Sequence, residues 1–374
     1  MKLSELKPAE LAFCGGASSF LQSDFWGNFK SLFGWKAYPF SAEWKNADGA
    51  HETLPLLVLY RRLSFGVGFA YIPWGPELPA GYDTPARWEA SAELAKSLRA
   101  VLPKDTALIR FDFPWFTDDS TNSFKPFVRA AADVQPPDSV LVDLVPDEAA
   151  ILGNMKSKWR YNVNLAGKKG VAVRYVDQNN FSMESGDLAS YFKIYHETAE
   201  RDKIPVRGMD YYRGLFDTAK NYDVKVQLYM ASHEGEDIAG VVTLFRGKEA
   251  IYLYGASSNN KRNLMAPYAL QWKVMQDAKA YGCLYYDLFG ISPKPPEEDP
   301  NHSRAGLYRF KTGFIGDEDQ GGQEQQGGQR PGGKIIHRPG SWDYPCRPLV
   351  YALYSAAEKT RKKIRDVKKR LKRR

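Results

Sequence analysis

Helical and strand-like hydrophobic patterning alternate along the second half of the chain in a definite order. A helical stretch at 155–169 ends at Gly170, and Val171–Tyr175 follows as a strand. Two helix-like segments, 186–200 and 210–220, precede three strand-like runs at 224–232, 238–245 and 250–256. The turns between those runs, Glu234-Gly235-Glu236-Asp237 and Arg246-Gly247-Lys248-Glu249, carry hairpin chemistry and predict a meander. A helix over 267–281 stops at Gly282, and a strand follows at 284–288. The first half is a fainter copy: helix 24–33, strands 56–63 and 68–72, helix 85–101, strand 107–113. Two domains of one α/β type are expected, each with a mixed sheet flanked by helices.

The segment 317–333, DEDQGGQEQQGGQRPGG, has no apolar anchor and reads as a flexible Gly/Gln-rich linker. The expected domains are 1–146, completed by 334–358, and 147–316, with a basic tail at 359–374. The longest strongly apolar run, Leu54–Tyr60, is strand-sized and far short of the ~20 residues of a membrane span. Met1–Lys7 lacks the apolar stretch of a signal peptide. Three scattered cysteines, Cys14, Cys283 and Cys346, form no CxxC pair and point to a reducing compartment.

The net charge of +8 changes this picture only at one end. Eleven of the 52 Lys and Arg lie in 359–374, with one of the 44 acids; the other 358 residues hold 41 basic and 43 acidic groups. The body is close to neutral. In the tail Val350, Ala357, Ile364 and Leu371 recur every seven residues, with Leu353, Thr360 and Val367 three positions after the first three. That spacing predicts a basic helix with a thin apolar stripe. An anionic membrane, tRNA phosphates or plain solvent would each suit it.

Much chemistry is absent. The five histidines make no HxxxH or HExxH pair, so no metal site is expected. There is no GxSxG elbow and no GxxxxGK[ST] loop. The strand order of the second half resembles the acetyltransferase (GNAT) fold. That fold holds coenzyme A on bare backbone N–H groups at a small-residue loop opening a helix. The matching stretch here is Arg262-Asn263-Leu264-Met265-Ala266-Pro267, with Met where Gly is wanted and a proline that has no N–H.

A set of strings in fixed order is more specific. Lys158-Trp159-Arg160-Tyr161-Asn162 is followed by Tyr252-Leu253-Tyr254-Gly255-Ala256-Ser257 and Ala266-Pro267-Tyr268-Ala269-Leu270-Gln271-Trp272. Then come Tyr286-Asp287-Leu288-Phe289-Gly290-Ile291 and Gly306-Leu307-Tyr308-Arg309-Phe310-Lys311-Thr312-Gly313-Phe314. The first half adds Phe20-Leu21-Gln22-Ser23 with Trp26 and Lys30, and Arg110-Phe111-Asp112. Together these resemble the FemABX family of tRNA-dependent peptidyltransferases, which extend the stem peptide of peptidoglycan precursors. The resemblance implies two acetyltransferase-like (GNAT) domains side by side. No heptad insert interrupts the second domain, so the chain is similar to the armless members.

The implied reaction moves an amino acid from aminoacyl-tRNA to an amine of UDP-MurNAc-pentapeptide or lipid II. The ester is already activated, so no cofactor, metal or enzyme nucleophile is required. The site must hold anions, manage a proton and stabilise an oxyanion. The resemblance places Lys311, beside Phe310, near the diphosphate and reacting centre. It assigns Arg207 and Tyr211, four apart at a loop–helix junction, and Tyr254 to the precursor. Lys30, with Lys36 as rival, is the first-domain precursor contact. Asp112 either orients or deprotonates the attacking amine, or pairs with Arg110 or caps a turn. Asp287 reads as a structural carboxylate. Lys158, Trp159 and Arg160 support the fold or meet tRNA. A monomer working in the cytoplasm, or peripherally at the inner membrane face through its tail, is expected. Two other readings stand beside this one: a coenzyme A-dependent N-acyltransferase, and a non-catalytic protein that binds RNA or membranes.

Overall fold

The computed structural model describes residues 2–46, 49–63, 66–116, 124–182, 186–317, 329–330 and 332–371. The chain opens with β1 (Lys2–Pro8), α1 (Asp24–Ser31), β2 (Lys36–Lys45), β3 (His51–Arg62), β4 (Gly68–Ile72), α2 (Thr84–Val101), β5 (Thr106–Asp112) and β6 (Val128–Arg129). It continues through β7 (Asp138–Asp143), α3 (Glu148–Asn154), α4 (Ser157–Lys168), β8 (Ala172–Asp177), α5 (Asp187–Asp202) and α6 (Met209–Ala219). Then come β9 (Lys225–His233), β10 (Glu236–Arg246), β11 (Glu249–Ser257), α7 (Ala266–Tyr281), β12 (Tyr285–Asp287) and α8 (Ala305–Thr312). The last elements are β13 (Gln329–Arg330), β14 (Gly333–His337), β15 (Ser341–Pro345) and α9 (Pro348–Leu371).

Two units divide these elements: Met1–Pro137 with His337–Arg374, and Asp138–Ile336. The first holds a seven-stranded sheet in the order β1-β2-β3-β4-β5-β15-β6. The second holds an eight-stranded sheet, β13-β14-β7-β12-β11-β10-β9-β8. Both follow one plan. Four antiparallel strands form a meander, a helix crosses over, and a fifth strand returns parallel to the fourth: β5 to β4 across α2, β12 to β11 across α7. A sixth strand then adds antiparallel from a distant part of the chain, β15 on β5 and β7 on β12. The mixed α/β architecture expected from the patterning is present in both units.

Local chemistry explains the crossover helices. The Asp83 carboxylate accepts from the Ala86 N–H at 2.9 Å, and Pro85 pre-sets the first turn of α2. α7 ends at Gly282, whose φ of +101° few other residues tolerate. Each sheet buries its inner face against its helix: Leu94 and Leu98 of α2 on Ile109 and Phe111, and Leu270 and Val274 of α7 on Val241 and Phe245.

Three boundaries differ from the sequence expectation. The division falls after Pro137 rather than at 146, because Val140, Leu141 and Val142 are buried as β7 beside β12. Of the linker expected at 317–333, residues 318–328 and 331 lie outside the described residues. Its end is not a linker: Gly333 begins β14, so close to β7 that a Cβ there would meet the Leu141 carbonyl oxygen at 2.0 Å. Residues 334–336 therefore belong to the second unit, and it is β15 and α9 that complete the first.

A buried ion network fastens α9. The Arg110 guanidinium, 4% exposed, donates to Asp343 at 2.7 and 2.9 Å and to Glu358 at 3.0 and 2.9 Å. Tyr351 donates to Asp343 and Tyr354 to Glu358, each at 3.2 Å. Removing the cation leaves the buried Asp343 carboxylate unpaired beside that of the part-exposed Glu358. Arg110→Ala is expected to cost about 3–5 kcal/mol of stability in denaturant unfolding. A loss below about 1 kcal/mol would show that the network contributes little.

Candidate active site

The second unit carries five of the seven residues expected at the site. β11 and β12 pair over three positions only, Glu249–Ile251 against Tyr285–Asp287, and then part. Lys311, near the end of α8, lies at this fork. Its Nζ donates to the Phe289 carbonyl at 2.7 Å and the Gly290 carbonyl at 2.9 Å, just after β12. On the other arm it stands 5.0 Å from the centre of the Tyr252 ring on β11.

Several neighbours fix that position. Asp287 accepts from the Phe289 N–H at 2.7 Å and from the Ser139 hydroxyl. Phe289 adopts a left-handed φ of +58°, and this turn aims two successive carbonyls at Lys311. Trp159 donates from Nε1 to the Phe310 carbonyl at 2.8 Å, anchoring α8 one residue before the lysine. Its ring lies so close to Gly313 that a Cβ there would meet it at 2.2 Å. Arg160 donates to the Gly153 and Met155 carbonyls, which gives it a structural task as well. Phe310 packs edge-on against Tyr268 and Phe314, ring centres 5.2 Å apart in both cases.

Burial, reinforced by Arg304, lowers the Lys311 ammonium to about 7, against an opposing pull from Asp287. Near neutrality both forms of the amine are therefore populated. An ammonium has three N–H donors, and two are committed to carbonyls. The third can go to a substrate oxygen, while the neutral amine can accept a proton.

Arg207, Tyr211 and Tyr254 come together, as their assignment to one ligand requires. The exposed Arg207 guanidinium lies 4.5 Å from the Tyr211 ring centre and 5.8 Å from that of Tyr254. The Tyr254 hydroxyl donates to that of Tyr211 at 3.3 Å. Burial raises both phenols above their ordinary pKa, so they remain donors at neutral pH. A β-bulge separates this group from the lysine. Thr243 faces Tyr252 and the adjacent Val242 faces Tyr254, so one extra residue turns the two tyrosines to opposite faces of β11. Tyr252 itself, the ring nearest Lys311, was not singled out from the sequence. Its string marked it, but tyrosine on a meander is ordinarily core.

Lys30 and Asp112 belong to the first unit. Lys30, half-buried in the last turn of α1, has Trp26 at 5.5 Å and Phe29 and Trp35 both at 5.9 Å from its Nζ. Lys36 instead lies over Tyr38 at 4.9 Å. Of the two roles open to Asp112, the surroundings favour the structural one over the base. It is buried, and its oxygens accept from Tyr71, Ser341 and the Gln135 N–H. Burial raises its carboxyl to about 6 despite those donors. It stitches β5 to β4 and β15, while Arg110 pairs with Asp343 and Glu358 rather than with it.

The stretch compared with a coenzyme A loop has a glycine-like backbone without the glycine. Met265 takes φ +57°, and Pro267 occupies the first turn of α7 without a donor. Among the described residues no cluster of three or more His, Cys, Asp or Glu is placed to hold a metal ion.

The FemAB family model matches residues 118–237 and 229–359, together more than half of the chain. A lipid II:glycine glycyltransferase of Staphylococcus saprophyticus is 38% identical over 94 residues, covering 25% of this chain and 22% of that protein. The chain thus spans about a fifth of that relative's length in this match. A lipid II:glycine glycyltransferase of Staphylococcus aureus strain COL is 22% identical over 78% of this chain and 83% of its own. The crystal structure of FemX superposes with a TM-score of 0.71 at 18% identity, covering 94% of this chain and all of that one.

The lowered pKa of Lys311 carries a sign. Between about 7 and 10.5 the unfolded lysine keeps a proton that the folded one has released, so stability rises with pH there. The stability of the wild type relative to Lys311→Met is expected to climb by about 1.4 kcal/mol per pH unit above pH 7 and to level off near 10.5. Denaturant titrations from pH 6 upward measure this; parallel curves would show an ordinary lysine.

Proposed function

The chain belongs to the FemAB family, and from that premise we propose that it is an aminoacyltransferase acting on a peptidoglycan precursor. In the reaction an amine of the stem peptide attacks the ester carbonyl of aminoacyl-tRNA. A C–N bond forms, the C–O bond to the tRNA ribose breaks, and one proton passes from the amine to the leaving oxygen. Lipid II is the favoured acceptor, because the relatives are named for it; UDP-MurNAc-pentapeptide is the alternative. The activated ester makes a cofactor unnecessary, and its tRNA places the reaction on the cytoplasmic side.

The observation that supports this reading most directly is Lys311 at the fork, held by two carbonyls with one donor direction left. Its ammonium would neutralise the developing oxyanion or a diphosphate oxygen, and its neutral form would take the proton of the attacking amine. Tyr252 forms a wall beside it, and Phe310, packed on Tyr268 and Phe314, holds the helix that carries it. Arg207, with the phenols of Tyr211 and Tyr254, suits an anionic group of the precursor. In the first unit, Lys30 would offer the precursor a cation of its own. Asp112 acts by holding the strands together. A coenzyme A donor is disfavoured because Pro267 removes an N–H from the cradle such a diphosphate needs.

The deciding experiment mixes the protein with charged tRNAs and each muramyl pentapeptide precursor, and reads the peptide mass. A gain of one amino-acid residue is expected; no gain with demonstrably charged tRNA would overturn the reading. In the same assay Lys311→Ala is expected to lower turnover about a hundredfold or more with little loss of folding. Gly255→Ala is a finer probe. A Cβ there would meet the Tyr252 hydroxyl at 1.8 Å, so the ring beside Lys311 must move. Turnover should fall by about tenfold or more while the precursor still binds; full activity would remove Tyr252 from the site.

A further inference from the structure

α9 presents two chemically different faces. Tyr351, Tyr354 and Glu358 join the Arg110–Asp343 network, and Lys362 donates from Nζ to the Ala131 carbonyl at 2.6 Å. These residues recur at helical spacing and mark the docked side. At 100° per residue, Leu349, Leu353, Thr360, Ile364 and Val367 all lie within about 60° of the opposite direction, with Ala357 just beyond them. That direction is solvent. Leu349 is 85% exposed, Leu353 76%, Ile364 51% and Val367 53%. So many large aliphatic side chains in one outward row are costly in water, at about 25 cal/mol per Å². Exposed cations edge the row, Lys359 and Lys363 on one flank and Arg361 on the other.

We infer that α9 is a docking helix for an anionic lipid surface, lying in the interfacial plane with Leu349, Leu353, Ile364 and Val367 in the acyl boundary. The helix is held to the body by its other side, so the whole first unit would be anchored with it. Three observations select this occupant. The stripe is apolar and its borders are cationic, the pairing that a negatively charged interface complements. Long Lys and Arg stems can lie along the acyl boundary with their charges in the headgroups. No described helix is long and apolar enough to cross a membrane, so the mode is peripheral. A second copy of the chain fits less well. Residues 359–374 carry a net +10, and pairing two such helices would bring like charges together. RNA would use the cations but has no use for an aliphatic row.

The test uses the full chain and needs no transfer reaction, so its outcome is separate from that of the transferase reading. Co-sedimentation is measured with vesicles of phosphatidylglycerol mixed with phosphatidylcholine and with phosphatidylcholine alone. Binding is expected to the anionic vesicles only, falling with salt. The double substitution Leu353→Glu and Ile364→Glu should weaken it about tenfold or more with an unchanged thermal midpoint, since both side chains are exposed. Neutralising Lys359, Arg361 and Lys363 to Gln should weaken it about fivefold per charge and flatten the salt dependence. Failure to bind anionic vesicles at low salt overturns the inference, as does binding that survives the double substitution. Sedimentation velocity supplies a third refutation: a dimer that the double substitution dissolves, without vesicle binding, would assign the face to a second copy. Displacement by tRNA of vesicles that the doubly substituted chain still binds would assign it to nucleic acid.

Discussion

Three residue pairs hold β11 against β12, and beyond Ile251 and Asp287 their hydrogen bonding stops. Everything at the candidate site follows from that parting. The backbone freed after β12 turns sharply under the control of Asp287 and offers two carbonyls. The backbone of β11 bulges and presents an aromatic ring. α8 delivers a lysine between the two arms, where burial lowers its affinity for a proton and paired carbonyls limit where it can point. A sheet whose fourth and fifth strands stayed paired along their length would have no room for this side chain.

Each sheet is finished by a strand borrowed from elsewhere in the chain, and the borrowed strands carry much of the polar interior. β15 brings Ser341 to Asp112 and Asp343 to Arg110. β7 brings Ser139 to Asp287. In both cases a buried carboxylate in the fifth strand or its partner is satisfied only when the sixth strand is in register. Burying a charged or polar group without its partner is so unfavourable that this pairing selects the register strongly. In the first unit the same network reaches into α9, so a helix with an unusually apolar outer face is nonetheless firmly seated.

Much of this was legible in the sequence, and unevenly. The meander, crossover helix and returning strand of the second unit were readable because hairpin turns, caps and periodic apolar faces are local signals. β2 was not, since Pro39 in its middle argues against a strand. β7 and β15 are short, and β15 has Asp343 at its centre, a residue strands avoid unless a buried cation awaits it. Lys311, Arg207, Tyr211 and Tyr254 were named through a resemblance carried by ordered strings. That Arg207, Tyr211 and Tyr254 adjoin one another is visible only in the folded unit, because it depends on a loop before α6 meeting the fourth strand of the meander. The role of Asp112 stayed open because a carboxylate at a strand end looks the same in sequence whether it faces substrate or a buried serine.

The sequence by itself determined the kind of fold, the family and the amphipathic character of the C-terminal helix. These rest on spacing along the chain, where 3.6-residue and two-residue periods speak directly. Only the tertiary structure decided which way that helix turns, because the stripe of Leu353, Ile364 and Val367 reads identically whether packed inward or left in water. Arg110 settles it: two acids drawn to one buried guanidinium hold the opposite face against the body, and the aliphatic row is left outside.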